Sequence, residues 1–394
     1  GWLLTLLEKE ETLGGLSRRL HHTIEGDDIQ AFVNELVDSV ENHENITVHR
    51  QALIVGFGGY KGNFTTTILV GTSMEEKKID HGVMIVATGA NEYQPKEFLY
   101  NESEKVVTQL ELADMIEDGS LKGPDRVIMI QCVGSRNEEN PNCSRICCQN
   151  AVKNAIALKK ADPDTDVFIL YRDMRMYSMM EEFYTEARNL GVIFSRFSAG
   201  NPPEVTQAED GTVSVRFTDH VLGHLVEAEA DLVALSAGVE APDTEELATI
   251  IKTGRNAEGF FMEAHVKLRP VEAATEGIFI CGTAHGPKLI TETITQAMAA
   301  ASRATTFLAQ EYLTLSAVTA EVMQEKCASC LVCVRSCPYN VPVINDEGVS
   351  YIDPALCQGC GVCASECPAK TIKLNWYEDT QLLSKVESLL EGVI

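Results

Sequence analysis

Two runs of four cysteines near the carboxyl end constrain this 394-residue chain more than any other feature. Both follow the spacing C-x2-C-x2-C-x3-C-P, one beginning at Cys327 and the other at Cys357. Three closely spaced thiolates can reach three irons of one [4Fe-4S] cubane, and the fourth cysteine of each run ligates the other cluster. The spacing therefore predicts a compact, ferredoxin-like module that carries two clusters and transfers single electrons.

The predicted ligands fall into two crossed sets. The first cluster takes Cys327, Cys330, Cys333 and Cys367, and the second takes Cys357, Cys360, Cys363 and Cys337. Zinc knuckles and reduced structural thiols are the alternatives. Zinc sites usually show separated pairs of ligands, so two such runs favour iron.

The composition limits the classes of partner. A formal net charge of −26 repels nucleic acid and anionic lipid. No apolar run reaches the roughly 18 residues of a membrane span. Eight of the 13 cysteines lie in the two runs, which favours a reducing compartment over a disulfide framework. We therefore expect a cytoplasmic protein with no nucleic-acid partner and no membrane span.

Upstream of the cysteine runs, apolar strands alternate with helical periodicity. Strand candidates include GVMIVATGA (82–90), RVIMI (126–130) and GIFICGT (277–283). Helix candidates include residues 150–160 and the alanine-rich stretch 291–313. This alternation predicts an α/β fold with a largely parallel sheet.

Several short motifs in this α/β part suit a flavin. Glu8 ends the apolar run WLLTLL, where an acid grips the adenosine ribose, and Gly14 and Gly15 let the backbone approach a cofactor. The later contacts would come from Ala87, Thr88, Gly89, Gly282 and Thr283. Each signal alone could be an ordinary acid or a tight turn, but together, in this order, they predict FAD.

The phosphate-binding part of a flavin site is not within the sequence. A G-x-G-x-x-G loop should lie about 20 residues before the ribose acid, and the chain begins seven residues before Glu8. The helix N-terminus that holds the pyrophosphate would belong to that loop. We therefore expect this chain alone to hold FAD poorly.

Six stretches resemble the A subunit of heterodisulfide reductase and its bacterial homologues. They are LLEKEETLGG, ATGANEY, QCVGSRNEENPNCSRICCQNAVKNA, LYRDMR, CGTAHGPK and the tandem cysteine motif. The resemblance implies a thioredoxin-reductase-like, two-dinucleotide-binding flavoprotein core with FAD and several [4Fe-4S] clusters. Fuller members carry an N-terminal domain, and some carry a second ferredoxin module. Neither is seen in this sequence, which resembles the shorter bacterial type and subunits of quinone-interacting complexes.

The resemblance also implies a role and a set of partners. The chain would pass electrons between a donor module, FAD, clusters and disulfide-reducing partners. Its flavin would be able to split an electron pair between two acceptors, which is electron bifurcation. The implied partners are B- and C-type subunits, ferredoxin, and a hydrogenase, formate dehydrogenase or NADH-oxidising module, in a dimer of a multi-subunit complex. Two alternatives stay open: an iron-sulfur relay or scaffold without FAD, and a component of a quinone-interacting membrane complex.

This interpretation divides the chain into five parts. The FAD-binding domain comprises 1–115 and 244–314, and a second Rossmann-like domain occupies 116–243. The ferredoxin domain covers 315–376, and a C-terminal helix covers 377–394.

Four further cysteines lie between residues 131 and 148, namely Cys132, Cys143, Cys147 and Cys148. A buried turn without a cofactor, a redox dithiol at the adjacent pair, and a third [4Fe-4S] cluster are the possible explanations. The family resemblance implies the cluster, and four thiols in so short a stretch are hard to explain as packing. Gly134 is the only glycine here, so NAD(P)H binding is not expected.

Two lysines are candidate catalytic groups. Lys288 follows the GIFICGT strand, and Lys153 lies one turn into the helix after Cys148. A cation beside a flavin stabilises its reduced, anionic form and can supply a proton. An exposed surface lysine is the alternative for each. His285 lies in the same turn as Lys288 and is included among the candidate cofactor contacts.

Overall fold

The computed structural model describes residues 1–313 and 317–391. Its α-helices are α1 (Ile29–Glu41), α2 (Gln109–Glu117), α3 (Cys147–Ala161), α4 (Glu181–Asn189), α5 (Glu245–Ile250), α6 (Ile290–Leu308), α7 (Val332–Ser336), α8 (Val362–Glu366) and α9 (Asp379–Leu390).

The strands of the first two thirds are β1 (Leu4–Leu7), β2 (Ile46–His49), β3 (Ala52–Tyr60), β4 (Asn63–Val70), β5 (Glu75–His81), β6 (Met84–Val86), β7 (Asn91–Glu92), β8 (Val106–Thr108), β9 (Arg126–Val133), β10 (Asp166–Tyr171), β11 (Ile193–Arg196), β12 (Glu204–Gln207), β13 (Val213–Asp219), β14 (His224–Ala230), β15 (Leu232–Ala237) and β16 (Val239–Glu240). The remaining strands are β17 (Glu263–His265), β18 (Arg269–Ala273), β19 (Ile278–Ile280), β20 (Ala320–Val322), β21 (Val343–Ile344), β22 (Ser350–Tyr351) and β23 (Ile372–Leu374).

A five-stranded parallel sheet organises the middle of the chain, with strand order β11-β10-β9-β15-β8. Helices α2, α3 and α4 pack on one face, and the antiparallel meander β12-β13-β14 covers the other. Burial on both faces explains why the centre of β9 is a continuous apolar run. The carboxyl end of β9 leads directly into the cysteine-bearing stretch.

A second sheet carries the turns that suit a flavin. Its order is β17-β18-β19-β6, and β19 and β6 run parallel. Helix α6 packs against this sheet, where Arg303 Nε on α6 donates to the buried Glu272 of β18 over 2.8 Å. The parallel pairing brings the carboxyl ends of β6 and β19 to the same edge of the sheet.

The cysteine-rich module is small and internally repeated. Strand β20 pairs antiparallel with β23, β21 pairs with β22, and α7 packs against α8. Both helices begin after a residue with positive φ, Leu331 (62°) and Gly361 (77°). The two cysteine runs thus form two similar loop-helix units that face each other.

Two expectations from the sequence need correction. Helix α3 begins at Cys147 rather than at residue 150, so Cys147 and Cys148 lie in its first turn. Cys132 belongs to β9, which leaves Cys143 alone in the connecting loop. Helix α1 is amphipathic, but Phe32 on its apolar face is 42% exposed, because nothing within the described residues covers it.

Two predicted boundaries reach residues outside the described ranges. The junction between the predicted parts 244–314 and 315–376 falls there, as do residues 392–394 of the predicted C-terminal helix. Within the described ranges, none of the helices combines the length and the apolar character needed to cross a bilayer.

Gly134, directly after β9, sets the path of the cysteine-bearing loop. Its φ is +67°, in the left-handed region, and a Cβ there would overlap the ring of Tyr93. Tyr93 in turn is held by the hydrogen bond from its N–H to the Gly238 carbonyl, at 2.9 Å. Only glycine combines this backbone angle with such a close approach.

Gly134→Ala should therefore lower the free energy of unfolding by about 3 kcal/mol, the sum of left-handed strain and overlap with Tyr93. Gly119→Ala is the matched control, since its φ is +70° and its Cβ would meet open space. That variant should lose only about 1 kcal/mol. Urea unfolding of the two variants measures the difference, and equal losses would show that Tyr93 yields to the new methyl group.

Candidate functional site

The carboxyl-terminal module encloses a cavity lined by one complete predicted ligand set. Those residues are Cys327, Cys330, Cys333 and Cys367. The Ser350 N–H lies 3.4 Å from Cys327 Sγ, and the Thr371 N–H lies 3.4 Å from Cys367 Sγ. Donors aimed at sulfur suit thiolate ligands and help set the potential of a cluster. The donor set of four cysteines fits a [4Fe-4S] cluster, and in the described ranges no three Cys, His, Asp or Glu side chains form a single-ion site.

The second predicted set is also brought together. The Ala320 N–H donates to Cys357 Sγ over 3.3 Å. Burial raises the pKa of the Cys363 thiol to about 11, with further contributions from the neighbouring thiols of Cys357, Cys337 and Cys360. The fourth cysteine of the first run thus lies beside the first three of the second run. The spacing predicts this crossed arrangement, and the assignment of these cysteines as ligands stays a prediction.

The other four cysteines come together from three different elements. Cys132 at the end of β9 has a φ of +65°, which turns its side chain out of the strand alternation. Cys147 Sγ lies 3.5 Å from the Ala237 carbonyl, and Cys148 Sγ lies 3.8 Å from the Asp173 carbonyl. Cys143 Sγ accepts the Arg145 N–H at 3.3 Å.

The thiols of this group influence one another's pKa. Burial, with smaller contributions from the thiols of Cys132 and Cys143, raises the pKa of Cys148 to about 11. Burial raises the pKa of Cys147 as well, with contributions from the other three thiols. A cluster requires thiolates, so binding would release protons from this site. The donor set fits a [4Fe-4S] cluster, and its role stays a prediction.

The two turns predicted to contact a flavin lie side by side. Cys281 N–H donates to the Val86 carbonyl over 3.0 Å, which continues the pairing of β6 with β19. A Cβ on Gly89, whose φ is +77°, would lie 4.0 Å from Thr283 Oγ1. Gly282 also has positive φ, at 67°. Together these turns form a backbone-lined edge that a planar ring system could approach closely.

Glu8 and the paired glycines lie at the end of the short β1-β2 sheet. The Glu8 carboxylate accepts the Glu10 N–H at 2.9 Å, and this contact orients it at the strand end. Gly14 and Gly15 have φ values of 113° and 49°. A Cβ on Gly14 would come within 2.9 Å of the Arg18 guanidinium, so the turn needs glycine there.

Lys288 and Lys153 occupy different environments. Lys288 Nζ donates to the carbonyls of Gly282 and Gly286, at 2.7 and 2.8 Å, which holds the ammonium beside the β19 turn. Burial, followed by the charge of Arg145, lowers the pKa of Lys288 to about 8. Lys153 Nζ instead donates to the His22 carbonyl at 3.1 Å, and burial lowers its pKa.

A small group of apolar side chains, the junction cluster, joins the cysteine-bearing stretch to the flavin-type turns. It consists of Leu16, Ala90, Ile146, Val239, Ala241 and Phe260. Arg145 Nη2 reinforces the junction by donating to both carboxylate oxygens of Glu292, each at 2.9 Å. The Asn142 amide also contacts the Glu258 carboxylate. The four thiols are therefore anchored next to the Gly89 and Gly282 turns.

Comparison with known proteins shows the family of this chain. The chain is 38% identical to the A subunit of an H2/formate:CoB-CoM heterodisulfide, ferredoxin reductase of Methanococcus maripaludis, over 81% of this chain and 51% of that protein. It is 31% identical to an iron-sulfur A subunit of CoB-CoM heterodisulfide reductase of Methanopyrus kandleri, over 88% of this chain and 67% of that protein. The chain belongs to the family of heterodisulfide reductase A subunits. It spans about half the length of most of the curated relatives it matches.

The family assignment confirms the resemblance seen in the sequence, although these relatives are archaeal rather than bacterial. Residues 350–373 match the family model of a 4Fe-4S binding domain, a range that contains Cys357, Cys360, Cys363 and Cys367. That match confirms iron-sulfur chemistry in the module at the level of the domain.

Solved structures confirm the predicted fold class. The thioredoxin reductase of T. acidophilum superimposes with a TM-score of 0.51 at 14% identity, over 78% of this chain and 90% of that one. The Lactococcus lactis thioredoxin reductase gives a TM-score of 0.52 at 14% identity, over 78% of this chain and 99% of that one. At such low identity the likeness concerns the fold alone.

Sequence reasoning missed several residues that shape the site of this heterodisulfide reductase family member. Glu263, with its side chain 6% exposed, lies 3.6 Å from His285 Nε2, and Gln296 Nε2 lies 3.2 Å from His285 Nδ1. Burial lowers the pKa of His285, and Glu263 opposes that shift. Arg145 was overlooked because its partner lies 147 positions away. Only its place between two cysteines signalled that it belongs to the site.

Cys367→Ser should remove the same cluster as Cys333→Ser. The two cysteines belong to different runs, but their side chains line one cavity. Each variant should lose about four irons and four sulfides per chain relative to the parent. Cys281→Ser is the matched control, since that buried thiol lies outside every predicted ligand set. Iron and sulfide analysis with EPR after anaerobic reconstitution measures the effect. Loss of the other cluster in Cys367→Ser would refute the crossed assignment.

Proposed function

We propose that this chain is an FAD- and iron-sulfur-dependent electron-transfer subunit of a heterodisulfide-reductase-type complex. It would pass electrons between a donor module, flavin, clusters, ferredoxin and disulfide-reducing partners. We further propose that the flavin splits electron pairs between two acceptors, which is flavin-based bifurcation. The observation that carries it is the junction cluster, in which Ile146 of the cysteine-bearing segment packs with Ala90, the residue after the Gly89 turn.

The relatives supply the chemical context of the proposal. Their names specify a CoB-CoM heterodisulfide and ferredoxin, and one adds H2 or formate as electron donor. By analogy, the partners of this chain would be B- and C-type subunits together with a hydrogenase or formate dehydrogenase module, in the cytoplasm. The presence of all thirteen cysteines as free thiols agrees with such a reducing compartment.

FAD would supply the exchange between electron pairs and single electrons. The chain's own residues bind and orient the ring. The backbone at Gly89 and Gly282 allows close approach, and the carbonyls of Gly282 and Gly286 hold the Lys288 ammonium at the turn. Ala90 and Phe260 are buried in the junction cluster, which supplies an apolar contact between the cysteine-bearing segment and the Gly89 turn.

The cysteines would carry electrons away from this site. Three sets of four thiols are present, one at the turns and two in the carboxyl-terminal module. Twelve of the thirteen cysteines are thereby used, and the buried Cys281 remains outside the sets. We propose three [4Fe-4S] clusters on this count.

Cys148→Ser tests the function in the anaerobically purified complex. It should lose about four irons per chain while FAD and the other clusters stay in place. Electrons from photoreduced flavin should then no longer reach the carboxyl-terminal clusters, as followed by absorbance and EPR. Cys281→Ser should behave as the parent. A complex without FAD would support an iron-sulfur relay instead, and full iron content in Cys148→Ser would exclude the third cluster.

Lys288→Met should lower the midpoint potential of bound FAD, because it removes a cation that stabilises the negative charge of the reduced ring. A loss of about 1.4 kcal/mol would lower a two-electron potential by about 30 mV. Since the pKa of Lys288 is about 8, the difference from the parent should fade as pH rises above that value. Lys153→Met is the control, held at the His22 carbonyl. Spectroelectrochemical titration measures the midpoint potential of FAD in each variant. Equal shifts in Lys288→Met and Lys153→Met would argue against a specific role of Lys288.

A further inference from the structure

Four arginines gather at one edge of the parallel sheet, in a chain whose net charge is −26. This arginine patch consists of Arg136, Arg172, Arg175 and Arg196 and lies at the carboxyl ends of β9, β10 and β11. Asp173 lies among them, 2.6 Å from Arg136 Nη2 and 3.2 Å from Arg196 Nη2. Two of the four guanidinium groups pair with this one carboxylate, so the patch holds more arginines than acidic partners.

Hydrogen bonds fix the inner part of the patch. Arg172 Nη1 donates to the Arg136 carbonyl at 2.6 Å, and Arg196 Nε donates to the Arg172 carbonyl at 2.9 Å. These contacts tie the loop after β9 to the segments after β10 and β11. The arrangement is therefore preorganised before any partner arrives.

The outer part of the patch is open. Arg175 is exposed, and within residues 1–313 and 317–391 its guanidinium forms no hydrogen bond or ion pair. Tyr177 and Met179 follow it along the chain and are 50% and 67% exposed. Arginine, tyrosine and methionine are enriched at protein interfaces. An aromatic and a thioether beside free positive charge suit a protein surface better than a small anion.

The patch touches the cysteines of the proposed third cluster. Cys148 Sγ lies 3.8 Å from the Asp173 carbonyl, and Arg136 Nη1 lies 3.9 Å from Cys132 Sγ. Residues of the patch and its carboxylate therefore contact two of these thiols directly. Such a short connection suits electron exchange rather than mere adhesion.

We propose that the arginine patch docks a small acidic one-electron carrier protein of the ferredoxin type. The inference rests on the proposed electron-transfer function. One electron passes between the carrier and the chain, so that the donor is oxidised as the acceptor is reduced, without bond formation or proton transfer. Because the rest of the chain is strongly acidic, repulsion elsewhere directs an acidic carrier to this edge.

Arg175→Glu in the purified holo-complex tests the docking. The probe is a reduced acidic 2[4Fe-4S] ferredoxin at low salt. The rate at which it reduces the clusters of the complex should fall about tenfold, and the Kd for the oxidised ferredoxin should rise about tenfold. The difference should largely vanish at high salt, where exposed charges are screened. Arg216→Glu is the matched control: Arg216 is an exposed arginine on β13, with carboxylates at 3.7 and 3.8 Å. Its reduction rate and its Kd for ferredoxin should stay within about twofold of the parent values, because Arg216 lies away from the docking edge.

Reduced methyl viologen, a small cation, separates the two hypotheses. If it fails to bleach the iron-sulfur absorption of the parent complex, the proposed electron-transfer function fails. If it succeeds in parent and variants alike, the clusters are competent and the ferredoxin result concerns docking alone. Equal ferredoxin rates and affinities in Arg175→Glu and the parent, or equal losses in Arg175→Glu and Arg216→Glu, would overturn the arginine patch as the docking site.

Discussion

Apolar packing in the junction cluster is the contact on which the rest of the site depends. The four upstream cysteines belong to the parallel sheet and its helix α3, whereas the flavin-type turns belong to the sheet that contains β6 and β19. Ile146 comes from the first unit, and Ala90 and Phe260 come from segments beside the second. Six modest side chains, the Arg145–Glu292 ion pair and the pairing of β7 with β16 thus bring the strand ends of the two sheets together.

The local chemistry of the chain was readable from its sequence because ligand spacing is a local property. The cysteine runs predicted a crossed two-cluster module, and the structure lines one cavity with Cys367 and three cysteines of the other run. The alternation of strands and helices likewise predicted a parallel sheet. In each case neighbours in the chain carry the information.

Contacts between distant segments were not predictable in this way. No periodicity links Arg145 to Glu292, or Gly134 to Tyr93, because these pairs are set by how whole elements pack. The start of α3 was misplaced for a related reason. Cysteine is a weak helix former, so the first turn at Cys147 is stabilised by tertiary packing rather than by propensity. The exposure of Phe32 also follows from packing rather than from its helical pattern.

The burial of Cys147 has a consequence for how the protein is matured. Its side chain lies at the start of α3, against the Ala237 carbonyl, and the residue is only 8% exposed. An iron donor cannot reach a thiol enclosed by a finished fold. Under the proposed ligation, cofactor insertion would therefore precede or accompany the closing of this loop, and a chain that folds without iron would keep this site closed to later loading. Iron supply during folding would then set the share of chains that carry this cofactor.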